Sequence, residues 1–209
     1  MYTLKEIFYT IQGEGMHTGR PAVFLRFAGC NLWTGHEKHR MSAICKFCDT
    51  DFVGTDGENG GKYESQDLIN VITSLWPMDT GCKPFLVLTG GEPAMQIDQE
   101  LIDAFHLNGF EVSIETNGTM HLPTGIDWVC VSPKSDAPLL IIEGDELKLV
   151  YPQENALPEK FSNLKFKRFS LQPMDGPEIN KNTQEVIHYC KSHPQWRVSL
   201  QTHKILGIP

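Results

Sequence analysis

No apolar run in this 209-residue chain approaches the ~18 residues that mark a membrane span; runs such as Phe85-Leu86-Val87-Leu88 fall far short. Positive charge is scarce as well, with 18 Lys and Arg against 26 Asp and Glu, a net charge of -8. That balance argues against non-specific binding of duplex nucleic acid, which needs cations to neutralise phosphates, and leaves room only for a local basic pocket. The opening Met1-Tyr2-Thr3-Leu4-Lys5-Glu6 has neither a basic nor an apolar signal region, so no secretory leader is expected. Internal repeats, low-complexity tracts and Pro/Ser-rich linkers are missing too, and the length suits a single domain over 1–209. Hydrophobic residues at 40% are enough for a packed core, so the expectation is a soluble, cytoplasmic, globular protein.

Strands are short and separated by helical spacing. Segments 22–28, 84–88, 110–114, 127–131, 146–150, 167–171 and 196–200 are rich in β-branched or aromatic residues and read as strands. Ser65 is a candidate cap for a helix with Leu68, Ile69, Ile72, Leu75 and Trp76 on one face. Asp98 can cap a second carrying Leu101, Ile102 and Phe105, with Gly109 past its end. A third runs near 178–191 on Ile179, Thr183, Val186, Ile187 and Cys190. Alternation of this kind predicts a mostly parallel sheet with right-handed crossovers. With six or seven such units, about two short of a closed eight-unit barrel, an α/β incomplete barrel of about six strands is expected. Residues 55–62 read as a mobile turn without chemistry.

Chemically capable residues collect where these strands end. The exits carry Gly29-Cys30, then Thr89-Gly90-Gly91-Glu92-Pro93, Glu115-Thr116-Asn117-Gly118, Ser132-Pro133-Lys134, Gln172-Pro173-Met174-Asp175 and Gln201-Thr202-His203. In parallel α/β folds that rim is where ligands bind.

Cysteine usage sharpens the picture. Of six cysteines, Cys82, Cys130 and Cys190 are scattered among apolar neighbours and read as small buried hydrophobes, whereas Cys30, Cys45 and Cys48 are clustered. In a reducing compartment such a cluster means metal or redox chemistry rather than disulfides. Three readings stand on spacing alone: a zinc site completed by His36 or His39, a C-x-x-C redox pair, or a [4Fe-4S] cluster with one iron left open. Two glycines at 90 and 91 let backbone approach a ligand, and Glu92 offers an acceptor for an ammonium group.

The cysteine trio together with the Gly-Gly-Glu-Pro exit resembles the radical S-adenosylmethionine (SAM) superfamily. Its usual C-x3-C-x2-C spacing is replaced here by C-x14-C-x2-C, with 31–44 as a loop insertion. An enlarged cluster loop, together with Ile11-Gln12-Gly13-Glu14-Gly15, Arg26, Cys48-Asp49-Thr50 and the exits at 132–134, 172–175 and 201–204, is similar to the 7-carboxy-7-deazaguanine synthase family. The resemblance covers residue 8 to the carboxyl end.

It implies a TIM-like partial barrel with a radical SAM core and conversion of 6-carboxy-5,6,7,8-tetrahydropterin to 7-carboxy-7-deazaguanine and ammonia by radical ring contraction. SAM would be regenerated, and the product would feed 7-deazapurine (queuosine) biosynthesis. It assigns Cys30, Cys45 and Cys48 to a [4Fe-4S] cluster and Thr50 to Mg2+. SAM contacts fall on Phe47, Cys48, Asp49, Gly90, Gly91, Glu92, Ser132, Pro133, Lys134, Gln172, Pro173, Met174 and Asp175. Substrate contacts fall on Ile11, Gln12, Gly13, Glu14, Arg26, Thr89, His203 and Pro209. The pterin's donor-rich edge wants the acceptors of Glu14, the Gln12 amide and the Pro209 carboxylate, and Arg26 can grip the substrate carboxylate in a fork. No catalytic side chain is assigned with certainty, since cluster and SAM carry the radical chemistry. An electron donor such as a flavodoxin and a homodimer are implied as well. The competing readings are a radical SAM glycyl-radical activase and a zinc-stabilised binding module.

Overall fold

In the computed structural model, which describes residues 1–77 and 81–209, all seven expected strand segments form, and two further strands join them. The strands are β1 (Tyr2–Ile11), β2 (Pro21–Phe27), β3 (Gly61–Tyr63), β4 (Phe85–Gly90), β5 (Glu111–Thr116), β6 (Trp128–Val131), β7 (Glu143–Tyr151), β8 (Lys165–Pro173) and β9 (Trp196–Val198). They make one sheet in the order β3-β1-β2-β4-β5-β6-β7-β8-β9, so the count is nine among the described residues rather than about six. From β2 through β9 every pairing is parallel, while β1 runs antiparallel to both β2 and β3. The additional strands are the antiparallel ones. A register shift between Leu4 and Glu6 breaks the alternation of β1, which is why its apolar pattern (Tyr2, Leu4, Ile7, Phe8) does not show period two.

Among the described residues four α-helices accompany the sheet: α1 (Ser65–Leu75), α2 (Gln99–Leu107), α3 (Ile179–Ser192) and α4 (Thr202–Leu206). The Asp98 side chain caps α2 by accepting from Leu101 N at 2.9 Å, and Gly109 follows with φ 82. Ser65 is a correction: it is the first helical residue, and Glu64 stands at the cap position without a side-chain bond. In α3 the buried positions are Asn182, which donates to the Met174 carbonyl at 2.8 Å, and Val186, while Ile187 is exposed, unlike its expected place on the apolar face.

The core has two main parts. Leu25, Leu88 and Ile114 of the sheet pack with Leu68, Ile72, Leu101 and Phe105 of α1 and α2, while Leu147, Leu149, Leu171 and Trp196 pack with Val186 of α3. Cys130 is buried as expected, though beside Glu115 and Lys148 rather than in either apolar cluster; Cys190 is half-buried, and Cys82 is exposed, contrary to its reading as a buried hydrophobe. Residues 12–20, between β1 and β2, reach to the far end of the sheet. Gly13 O accepts from Thr202 N at 2.9 Å, Gly15 N donates to Ser199 Oγ at 2.9 Å, and Met16 N donates to Glu146 Oε2 at 3.0 Å.

Candidate active site

One cavity of about 420 Å³ lies over the carboxyl ends of the parallel strands. The N-terminal segment brings Ile11, Gln12, Gly13 and Glu14 to its wall, β2 brings Arg26, and the β4 exit brings Thr89, Gly90 and Gly91. The cluster loop contributes Phe47, Cys48, Asp49 and Thr50; further round stand Ser132, Lys134, Gln172, Pro173, Met174 and Asp175, then His203 and Pro209. Nearly every sequence-assigned residue therefore meets in one place, although 195 positions separate Glu14 from Pro209.

Four assigned residues stand behind the wall: Cys30, Cys45, Pro133 and Glu92. For Glu92 this is a correction. Its fully buried carboxylate accepts from Ala94 N at 3.0 Å, Thr116 Oγ1 at 2.7 Å and Asn117 N at 2.7 Å. It ties the 3-10 turn after β4 to the end of β5, so its oxygens serve the scaffold instead of a ligand's ammonium group. Burial pushes its carboxyl up, and the three donors oppose that rise. Pro133 is likewise buried, with its carbonyl accepting from Gln153 at 3.1 Å.

The thiols sit where β2 and β4 end side by side. Gly91 N donates to Phe27 O at 3.2 Å and Glu92 N to Gly29 O at 2.9 Å. A Cβ on Gly91 would collide with the Gly29 carbonyl and come within 2.8 Å of Cys30 Cβ, so only glycine lets the Gly-Gly exit lie against the first thiol. Leu32 N donates to Cys30 Sγ at 3.5 Å, and Cys48 Sγ donates to Thr50 O at 3.9 Å. Hydrogen bonding between Cys45 and Cys48 holds the Cys48 thiol down, to about 6, and pushes Cys45 up. Lys134 draws both toward thiolate, and its ammonium also donates to Ser132 O at 2.9 Å and to Ser132 Oγ.

This all-sulfur donor set, beside a backbone exit free of side chains, fits an iron–sulfur cluster. It does not fit the four-ligand zinc site. His36 and His39 are exposed, and His39 Nδ1 pairs with Thr34 Oγ1 at 2.8 Å, so neither imidazole is turned toward the thiols as a fourth ligand.

The enlarged loop 31–44 has a packing of its own. Buried Trp33 meets Phe52 edge-on at 5.6 Å, and the Arg40 guanidinium lies 4.1 Å from the Trp33 ring centre. From there Arg40 donates to the carbonyls of Lys46 at 3.0 Å and Cys48 at 3.1 Å, fastening the C-x-x-C backbone. Nothing in the motif pattern marks Arg40, because its target is a pair of main-chain oxygens.

Three further residues carry parts that sequence reading did not assign: Lys148, read only as part of a strand, and Glu115 and Gln201, named at strand exits without a role. Lys148 is buried and its ammonium lies 2.7 Å from Glu14 Oε2 and 2.9 Å from Glu115 Oε2. Gln172 Nε2 and Gln201 Nε2 donate to Glu14 Oε1 at 3.1 and 2.9 Å. Burial works to raise the Glu14 carboxyl, but Lys148 and the Gln201 amide outweigh it and hold it at about 2. At Glu115 burial wins and the carboxyl is pushed up; Lys148, despite burial, is held well above its ordinary value by the two carboxylates. The Gln12 amide oxygen is also partly engaged, accepting from Glu14 N at 3.1 Å. His203 is half-buried, and that burial pushes its imidazole down.

Cys30 just past β2, the C-x-x-C pair in the loop that follows, a Gly-Gly turn packed against Cys30 and a cavity across the rim of an open α/β sheet are the parts of a radical SAM enzyme. No family model matches the chain. It is 57% identical over 209 residues to 7-carboxy-7-deazaguanine synthase of Burkholderia multivorans, covering 100% of this chain and 99% of the relative. It is 59% identical over 208 residues to that of Bradyrhizobium diazoefficiens, covering 99% of each. The crystal structure of QueE from Escherichia coli superposes with a TM-score of 0.73 at 29% identity, over 96% of this chain and 93% of that one. The chain belongs to the 7-carboxy-7-deazaguanine synthase family.

Proposed function

We propose that the chain converts 6-carboxy-5,6,7,8-tetrahydropterin to 7-carboxy-7-deazaguanine and ammonia, in the biosynthesis of 7-deazapurines such as queuosine. The observation that carries this reading is the gathering, around one cavity, of the thiol-bearing loop, the Gly-Gly exit, and a floor made of Arg26, Glu14 and Lys148. A [4Fe-4S] cluster with SAM supplies one-electron chemistry able to take a hydrogen atom from an unactivated C–H bond. Cys30, Cys45 and Cys48 would hold that cluster. Gly90 and Gly91 offer backbone to SAM, Ser132 and Lys134 offer polar groups, and Phe47 with 172–175 frames its ring.

On the substrate side, Arg26 grips the pterin carboxylate. A carboxylate has about four lone-pair sites. Glu14 uses three of them on Lys148, Gln172 and Gln201. The site left over suits a donor on the pterin's guanidine-like edge. Thr89, His203 and Pro209 complete the wall, and rigid placement matters more here than acid–base strength. Thr50 would be the protein's ligand for Mg2+; among the described residues no three acidic, His or Cys side chains form an ion site, so the ion would draw on water and the substrate carboxylate.

The contacts of Gly13 and Gly15 with Thr202 and Ser199 support a sheet curled into an incomplete TIM-like barrel, with residues 12–20 across its gap. One continuous sheet supports a single domain over 1–209. No helix among the described residues is long and apolar enough to cross a membrane, and a cytoplasmic setting follows from the need to keep the thiols reduced. A flavodoxin-type electron donor and a homodimer are part of the same proposal, on family likeness. Anaerobic incubation with the pterin, SAM and dithionite, with and without Mg2+, tests the reading. Product and ammonia are expected, with 5′-deoxyadenosine well below one equivalent and less product without Mg2+. No product from protein carrying its full iron content would overturn it.

A further inference from the structure

The register shift in β1 has a neighbour on the site side of the sheet. Leu4 pairs with Phe27 and Glu6 with Arg26, so β1 spends one residue more than β2 over this stretch. Because side chains alternate along a strand, the extra residue reverses which face the following positions serve. Leu4 and Ile7 both enter the core, while Glu6 and Phe8 line the cavity beside Phe24 and Arg26. Glu6 Oε1 accepts from Arg26 Nε at 2.6 Å, and both side chains are mostly buried, 26% and 20% exposed. The Arg26 side chain makes no other hydrogen bond among the described residues, so the two terminal nitrogens of its fork stay available. Phe8, stacked on Phe24 with ring centres 5.5 Å apart, lies 5.8 Å from the guanidinium and fills the space beneath it.

The shift itself is held by segment 51–60, part of which reads from sequence as a turn without chemistry. Lys5, the extra residue, is buried and its ammonium reaches Asp51 at 2.8 Å, Asp56 at 2.7 Å and Val53 O at 3.0 Å. Gly57 N donates to Lys5 O at 3.0 Å and Ile7 N donates to Glu58 O at 2.7 Å. A Cβ on Gly57 would stand 2.6 Å from Glu6 Cβ, so this loop can lie on the bulge only with glycine there.

We infer that Glu6 is a positioning residue for the substrate carboxylate: delivered to the site face by the bulge at Lys5, it holds Arg26 by Nε and turns the guanidinium's two terminal nitrogens toward the ligand. This deepens the proposed function and rests on its assignment of Arg26. A planar guanidinium held at Nε presents a parallel pair of N–H bonds, the geometry a carboxylate accepts, and holding it costs the ligand less ordering on binding.

The test compares Glu6→Ala, Glu6→Gln and Arg26→Met in the cluster-loaded enzyme. It measures KM and kcat for the carboxylated pterin and the inhibition constant of a tetrahydropterin lacking the carboxylate. For Glu6→Ala, KM is expected to rise about tenfold with kcat within about twofold, the signature of lost binding rather than lost chemistry. Glu6→Gln, which keeps an acceptor for Nε, should recover most of that loss. The carboxylate-free inhibitor should bind all three variants as it binds the wild type, which a general loosening of the site would not allow. In the double variant, Glu6→Ala should add nothing to Arg26→Met. An unchanged or lower KM for Glu6→Ala, or an equal weakening of the inhibitor, overturns the inference. An Arg26→Met enzyme with normal KM overturns instead the assignment of Arg26, a separate failure read from its own arm.

Discussion

Replacing Lys148 with methionine tests the charge arrangement beneath the cavity. In the wild type one buried ammonium serves two carboxylates, Glu14 at 2.7 Å and Glu115 at 2.9 Å. Methionine fills similar volume, so the change is chiefly one of charge. Removing one partner of a buried pair leaves the other uncompensated, at a cost of about 3 to 5 kcal/mol. A second route gives a similar figure. Glu14 falls from 4.5 to about 2, a preference for the ionised form of about 3 kcal/mol, most of which depends on Lys148.

For a chain of this size that loss lowers Tm by about 10 °C at pH 7. The sign of the pH dependence discriminates further. With its folded value depressed, Glu14 contributes stability that is present above its ordinary value and lost only as pH falls from about 4.5 toward 2. Without Lys148 both carboxyls rise above their unfolded values, so the variant is penalised at pH 7 and relieved as protons bind. The gap in Tm between wild type and Lys148→Met therefore narrows from pH 7 to pH 5, followed by far-UV circular dichroism. Adding Glu115→Gln to the variant, which removes the surplus carboxylate, restores part of the loss. A gap at pH 7 under about 2 °C, or one that widens on acidification, refutes the reasoning.

Glu92→Gln keeps shape but sets an amide against three donors inside the protein; unfolding should show a loss of about 2 kcal/mol, and unchanged stability would deny the scaffold role. Gly91→Ala pushes a methyl group into the Gly29 carbonyl and the first thiol, so both Tm and iron content should fall, the latter by more than half; full iron at normal Tm would contradict the packing of the two exits. Cys48→Ala should abolish cluster incorporation, read as iron per chain and visible absorbance, while shifting the melting point of the metal-free protein by no more than a few degrees. Iron retained at about four per chain would remove Cys48 from the ligand set.

Signals written in a few consecutive residues were legible without coordinates. The seven parallel strands, the Asp98 cap, the glycine after α2 and the order of the strand-end motifs all depend on local backbone preferences and short spacings. So does the C-x-x-C pair, although the cluster it would hold also needs Cys30 from the end of β2. What tertiary structure decided is partnership. Lys148 meets Glu14 across 134 positions, Gln201 meets Glu14 across 187, and Arg40 fastens main-chain oxygens that no motif can advertise. The burial of Glu92 was decided there too, because a carboxylate beside a Gly-Gly turn reads as a ligand until the ends of β4 and β5 close over it. Likewise, β1 escaped recognition since its bulge reverses the phase of alternation, and that same reversal sets Glu6 against Arg26. Residue type and spacing determine which chemistry the chain can perform. Strand register determines which of those groups face one another, and register is a property of the whole sheet.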